Sequence, residues 1–162
     1  MKRVFHICLL LFSLGCISCN PEQSFLDYTD HLIMEGKEIY FPPDVILSPC
    51  VKIFVYIDAD CSSCFAKLAK WNELLQSNPV LSRPGKVVFM LGTSDKLVTE
   101  YYMEKLSFSH PYTIDTTGLF LIENNLSDHR KQTLLLDATN HCILVGDPAA
   151  DKKALKLFIK KL

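Results

Sequence analysis

Val51-Lys52-Ile53-Phe54-Val55-Tyr56-Ile57-Asp58-Ala59-Asp60-Cys61-Ser62-Ser63-Cys64 is the stretch from which the rest of the chain can be read. Its first seven residues form a nearly continuous apolar, β-branched and aromatic run, the pattern of a central strand covered on both faces. Asp58-Ala59-Asp60 then makes a polar turn. Cys61-Ser62-Ser63-Cys64 opens a stretch in which Phe65, Leu68, Ala69, Leu74 and Leu75 fall close to helical spacing as far as Gln76. Asp60 is the expected N-cap, and Pro79 with Arg83-Pro84-Gly85 ends the unit.

Downstream, Lys86 to Leu91 reads as a second buried strand and Asp95 to Leu106 as a second amphipathic helix. A parallel connection between such strands through a helix is right-handed. After a connecting segment, in which His110-Pro111 marks a strand entrance, Thr133–Leu136 and Cys142–Val145 flank the turn Asp137-Ala138-Thr139-Asn140 as a hairpin. Gly146-Asp147-Pro148 and a last helix, Ala150 to Lys161, follow. Upstream, Gly36 to Phe41 suggests a short edge strand, since β-favouring side chains follow a glycine and stop at Pro42-Pro43. The order is strand, Cys-x-x-Cys, helix, strand, helix, connecting segment, hairpin, helix, and the class is α/β.

With that order in place the sequence resembles the thioredoxin superfamily, specifically its envelope thiol-disulfide oxidoreductases and a group of uncharacterised thioredoxin-like bacterial lipoproteins. The resemblance rests on Val55-Tyr56-Ile57-Asp58 before the Cys61-x-x-Cys64 pair, on Lys70-Trp71 in the following helix, and on Gln132-Thr133-Leu134-Leu135-Leu136-Asp137 with Val145-Gly146-Asp147-Pro148 downstream. It covers residues 35–162. It implies a thioredoxin-like fold with a central mixed β-sheet flanked by helices. It also implies exchange with protein or small-molecule disulfides and dithiols, no organic cofactor, and a separate electron-transfer partner.

Placement of the cysteines supplies the chemistry. A cysteine at a helix N-terminus faces unpaired backbone N–H groups and the positive end of the macrodipole, which favour thiolate. Cys61 is therefore the expected nucleophile. Cys64, one turn deeper, is the resolving thiol that closes the Cys61–Cys64 bridge. Ser62 and Ser63 are small groups able to donate hydrogen bonds to sulfur at the border of a substrate groove. Gln132 stands where the thioredoxin pattern has a cis-proline beside that groove, and because a non-proline cis bond costs ~2.5–4 kcal/mol, a trans peptide is expected.

Several features depart from the family pattern. Asp58 and Asp60 stand close before Cys61, where negative charge opposes thiolate formation. The tryptophan that usually precedes the first cysteine is replaced by Ala59-Asp60. Position 55 carries no acid to accept a proton from Cys64. These departures keep open a second class of function, a redox-silent binding module with a permanent bridge, and a third, a metallochaperone. A zinc site is disfavoured, because no second Cys-x-x-Cys or spaced His pair completes a ligand set. Trp71 reads as core, and His129 and Arg130 as a solvated loop near Gln132. Cys50 and Cys142 fall at the sheet end opposite Cys61, either bonded to each other or as two free thiols.

The chain has 162 residues with 17 basic and 18 acidic side chains, enough for one domain plus a leader. Near-neutral charge without basic clusters argues against nucleic acid as a partner. Three of the seven cysteines precede residue 20. Lys2-Arg3 is followed by an uncharged Leu/Phe/Ile/Cys-rich run from Val4 to Pro21, which reads as a signal peptide. Ser-Leu-Gly-Cys at 13–16 and Ile-Ser-Cys at 17–19 both resemble a bacterial lipobox, making Cys16 or Cys19 the acylated residue. The expected organisation is a lipoprotein signal peptide and anchor over 1–19, a tether over 20–34 and the folded domain over 35–162. Such a protein is held by acyl chains in the cell envelope, facing the periplasm.

Overall fold

In the computed structural model, residues 34–162 are described. The leader, with Cys16 and Cys19, and the tether through residue 33 lie outside the described residues. Strand β1, Lys52–Asp58, is buried along its whole length except at Asp58. It occupies the centre of a five-stranded sheet of order β3-β2-β1-β4-β5. Here β2 is Val87–Gly92, β3 Tyr112–Asp115, β4 Thr133–Leu136 and β5 Cys142–Val145. β1 pairs parallel with β2 from Ile53↔Val87 to Asp58↔Gly92, and β2 pairs parallel with β3. On the other side β1 pairs antiparallel with β4 from Lys52↔Leu136 to Val55↔Thr133, and β4 with β5. The sheet is mixed, as the sequence implied.

The alternation of β1 divides the apolar residues into two cores. Ile53, Val55 and Ile57 point to the face covered by helix α1, Ser62–Ser77, through Leu68, Trp71 and Leu75. Met103 of α2, Lys96–Lys105, and Phe158 of α4, Lys152–Lys161, close the same core. Phe54 and Tyr56 point to the opposite face, against Met34, Ile39, Phe120 and Leu126. Phe120 belongs to α3, Leu119–Asn124, and its ring stacks on Tyr56 at 5.7 Å. Because a strand with both faces covered cannot slip by one residue without exchanging its two cores, the register of β1 is strongly fixed. Trp71 is fully buried and lies edge-on to Phe89, as a core residue.

Lys52 is a buried cation at the N-terminal end of this strand. Its Nζ donates to the carbonyls of Ser48, Cys50 and Asp137, each at 3.2 Å, which satisfies the ammonium where water is excluded. Burial lowers its pKa.

One sequence expectation needs correction, one segment is filled in and one open question is answered. Gly36 to Phe41 does not form an edge strand; it makes a single antiparallel bridge, Glu38↔His141, beside β5. Tyr40 is drawn away, its N–H donating to Asn124 Oδ1 (2.8 Å) and its carbonyl accepting from Asn124 Nδ2 (2.9 Å). The connecting segment contains two elements of its own, β3 and α3, the latter held by Asp115, whose carboxylate accepts from the N–H groups of Thr117, Gly118 and Phe120. The question left open for Cys50 and Cys142 resolves as two free thiols, with β4 lying between β1 and β5. Their sulfurs face the carbonyls of Gly85 and Leu144 respectively.

Gly92 ends β2 beneath the Tyr56 hydroxyl, which a Cβ at this position would overlap. Gly92→Ala is expected to destabilise the fold by about 1–3 kcal/mol, the usual cost of overpacking, in denaturant unfolding. A variant as stable as wild type would contradict this packing.

Candidate active site

Strand β1 delivers the chain to its C-terminal edge, and a short turn then reverses it into α1. Ala59 N–H donates to the Gly92 carbonyl (2.8 Å), extending the β1–β2 ladder, while Asp60 N–H donates to Asp58 Oδ1 (3.1 Å). The first helical residue is Ser62, so the N-cap is Cys61, with extended φ and ψ of −105° and 116°. Asp60 is not the cap. Its carboxylate is turned to the β2–α2 connection, accepting from Thr93 Oγ1 (2.8 Å) and from Ser94 N–H (2.8 Å to Oδ2).

At the N-cap the Cys61 sulfur takes the place of the Ser or Asp oxygen that ordinarily meets the free N–H groups of a helix. No N–H makes a full capping bond to it, but Ser63 Oγ lies 2.9 Å away. The Ser63 hydroxyl is the main cause of a lowered Cys61 pKa, reinforced by the Cys64 thiol and by the backbone N–H of Cys64. Cys64, in the first turn, behaves oppositely. Burial against the α1 core pushes its thiol up to about 11, helped by the hydrogen bond and charge of Cys61 and by the charge of Asp58. Two thiols three residues apart thus differ in proton affinity by position alone. The hydrogen bonds that lower the Cys61 pKa come from Ser63 and Cys64. Asp60 is bonded elsewhere, and Asp58 acts on Cys64.

Ser62 and Ser63 are both exposed on the first turn of α1. Gln132 reaches the same end of the sheet, since β4 begins beside the end of β1, but its side chain is buried. Its Nε2 donates to the Leu126 carbonyl (3.2 Å), and its own carbonyl accepts from Tyr56 N–H (2.8 Å). All peptide bonds of the described residues are trans, including this one. Just before it, His129–Lys131 forms a 3-10 turn capped by Asp128, whose carboxylate holds the Arg130 guanidinium at 2.7 Å. That pairing pulls the Asp128 carboxyl down to about 2. Among the described residues, no group of three or more His, Cys, Asp or Glu side chains is arranged to hold a metal ion.

Two networks at this end were not foreseen from the sequence. One is the Asp60–Thr93–Ser94 contact. The other joins Lys67, one turn beyond Cys64, to Thr133 Oγ1 (3.2 Å) and to Asp147 (3.2 Å), tying α1 to β4 and to the turn after β5. Asp147-Pro148 signalled a turn in the sequence, but nothing there pointed to Lys67 as its partner.

Ser63→Ala removes the first donor to the Cys61 sulfur. The Cys61 titration, followed by the pH dependence of its alkylation, is expected to move up by about one unit or less. A downward shift would contradict the assigned donor.

No protein-family model and no curated protein matches this chain in sequence. Solved structures do match it in fold. A Chlorobium tepidum protein, named as a candidate thiol:disulfide interchange protein DsbE, superposes with a TM-score of 0.57 at 17% identity, over 78% of this chain and 95% of that one. A candidate thiol-disulfide oxidoreductase from Bacteroides vulgatus gives 0.54 at 16% identity, over 70% and 74%. A secreted disulfide oxidoreductase of Mycobacterium tuberculosis gives 0.52 at 16%, over 72% and 84%. Together with the strand order and the position of the Cys61-x-x-Cys64 pair, these likenesses establish that the chain has the thioredoxin-like fold.

Proposed function

We propose that this protein is a membrane-anchored thiol-disulfide oxidoreductase that works through Cys61 and Cys64. The observation that carries this reading is the placement of the pair at the start of α1, with Cys61 at the N-cap, Ser63 Oγ 2.9 Å from its sulfur and Cys64 in the first turn behind it. The Cys61 thiolate attacks one sulfur of a substrate disulfide. A Cys61–substrate disulfide forms, and the other substrate sulfur leaves as a thiolate that takes a proton from solvent. Cys64 then loses its proton to water and attacks the Cys61 sulfur, closing the Cys61–Cys64 bridge and releasing the second substrate thiolate. Two electrons pass from the dithiol to the substrate. A dithiol partner restores the reduced pair, and the same steps run backwards oxidise a substrate dithiol.

Ser62 and Ser63 border the reacting sulfurs, and Gln132 is assigned to the same groove by its place before β4, its amide being turned inward to the Leu126 carbonyl. Substrates are protein or small-molecule disulfides. No organic cofactor takes part. The secreted neighbour of like fold supports an envelope location, and the leader motifs support a lipid anchor at Cys16 or Cys19 facing the periplasm. Among the described residues no helix is long and apolar enough to cross a membrane. A second reading, a display scaffold with a permanent bridge, is favoured by Gln132, whose buried side chain replaces an open groove residue with a packed one.

Cys61→Ser is expected to reduce disulfide exchange to the uncatalysed rate, while Cys64→Ser accumulates a mixed disulfide with substrate. Equal rates for wild type and Cys61→Ser would overturn the enzymatic reading. The wild-type rate is expected to rise with pH and reach half its plateau below the ordinary thiol value of about 8.5, because the thiolate is the nucleophile. In bacteria given a labelled fatty acid, either Cys16→Ala or Cys19→Ala is expected to abolish labelling of this protein. An unlabelled wild-type protein would remove the anchor.

A further inference from the structure

Asp60 carries a hydrogen-bond arrangement that an exposed turn residue does not need. Asp60 is exposed, yet both its oxygens are engaged, Oδ1 by Thr93 Oγ1 (2.8 Å) and Ser94 N–H (3.1 Å), and Oδ2 by Ser94 N–H (2.8 Å). The Thr93 hydroxyl, in turn, is buried and saturated. It accepts from Asp95 N–H (3.0 Å) and from Thr99 Oγ1 (2.9 Å), and its single proton faces Asp60 Oδ1 at 2.8 Å, closer than the Asp95 carbonyl at 3.1 Å. Thr99 is itself almost fully buried in α2. The turn that places Cys61 is thereby fixed to α2 by a chain of bonds running into the protein, across 33 residues of sequence.

We infer that Asp60 is a positioning residue: by clamping the 58–61 turn to Thr93 and Ser94 it holds Cys61 at the N-cap of α1. This deepens the proposed thiol-disulfide chemistry and rests on it for its biological meaning. At the N-cap the Cys61 sulfur lies 2.9 Å from Ser63 Oγ and beside the free N–H groups of the first turn, and stabilisation of a thiolate by such donors depends steeply on sulfur position. The backbone of the turn is held by Ala59 N–H on the Gly92 carbonyl (2.8 Å) and by a long contact of Cys61 N–H to the Asp58 carbonyl (3.4 Å). The Asp60 side chain adds side-chain bonds from this turn to the neighbouring loop at Thr93 and Ser94. The clamp also satisfies the Asp60 charge with the Thr93 hydroxyl and the Ser94 N–H.

The sign of one measurement separates this role from a purely electrostatic one. Removing a nearby negative charge lowers a thiol pKa, whereas releasing the turn withdraws donors from the sulfur and raises it. In the full chain, peptide-resolved alkylation of Cys61 by iodoacetamide across pH is expected to move upward by about one unit in Asp60→Ala, a tenfold change in thiolate fraction at acidic pH. Thr93→Val is expected to move it in the same direction. Asp60→Asn and Thr93→Ser, which keep an acceptor and a hydroxyl, are expected to stay within a few tenths of a unit of wild type. A downward shift in Asp60→Ala, or no shift in it, would overturn the inference. The Cys61 titration is readable whether or not the protein catalyses exchange, so it is independent of the Cys61→Ser assay that tests the function itself.

Discussion

Strand β1 has no solvent face. Ile53, Val55 and Ile57 are sealed under α1 while Phe54 and Tyr56 are sealed under Phe120 and the segment around Ile39, so the strand can neither slip nor rotate without exchanging two cores. Only its last residue, Asp58, reaches the surface. The turn beyond it is consequently presented at one defined place, and α1 must start there because Leu68, Trp71 and Leu75 are needed over the same face of the sheet. The position of Cys61 follows from packing some distance away from the sulfur.

From that position the chemistry divides between two identical side chains. Cys61, at the rim, receives donors and is the easier thiol to ionise; Cys64, one turn inward, loses water and sits nearer the influence of Asp58, and holds its proton to about 11. The proposed nucleophile and resolving thiol are distinguished by depth along one helix turn. The lack of an acid at position 55 is consistent with this division. Val55 instead contributes to the core, and its partner in β4, Thr133, is bonded to Lys67.

Much of this was legible because β1, β2, α1, α2, the hairpin and α4 carry strong hydrophobic periodicity or direct turn signals. What escaped was set by contacts distant in sequence. Asp60 has the composition of an N-cap, but its carboxylate finds Thr93 and Ser94, and the cap passes to Cys61. Gly36 to Phe41 has the residues of an edge strand, but Asn124 draws Tyr40 off the sheet. Helix α3, with six residues, is too short for a periodic pattern and depends on Asp115 to organise the turn before it, whereas β3 begins directly after the strand entrance at His110-Pro111. Gln132 was read from its alignment with a groove position, and only its bond to Leu126 reveals that the side chain faces inward.

The central claim is that Cys61 and Cys64 form a reversible redox pair rather than a structural bridge. Equilibration of the purified protein with glutathione buffers, with the oxidised fraction of the pair read by alkylation and mass, measures this directly. The account predicts a single two-electron transition above about −300 mV that disappears in Cys61→Ser. A potential well below about −300 mV, with a bridge that glutathione does not open, would contradict it.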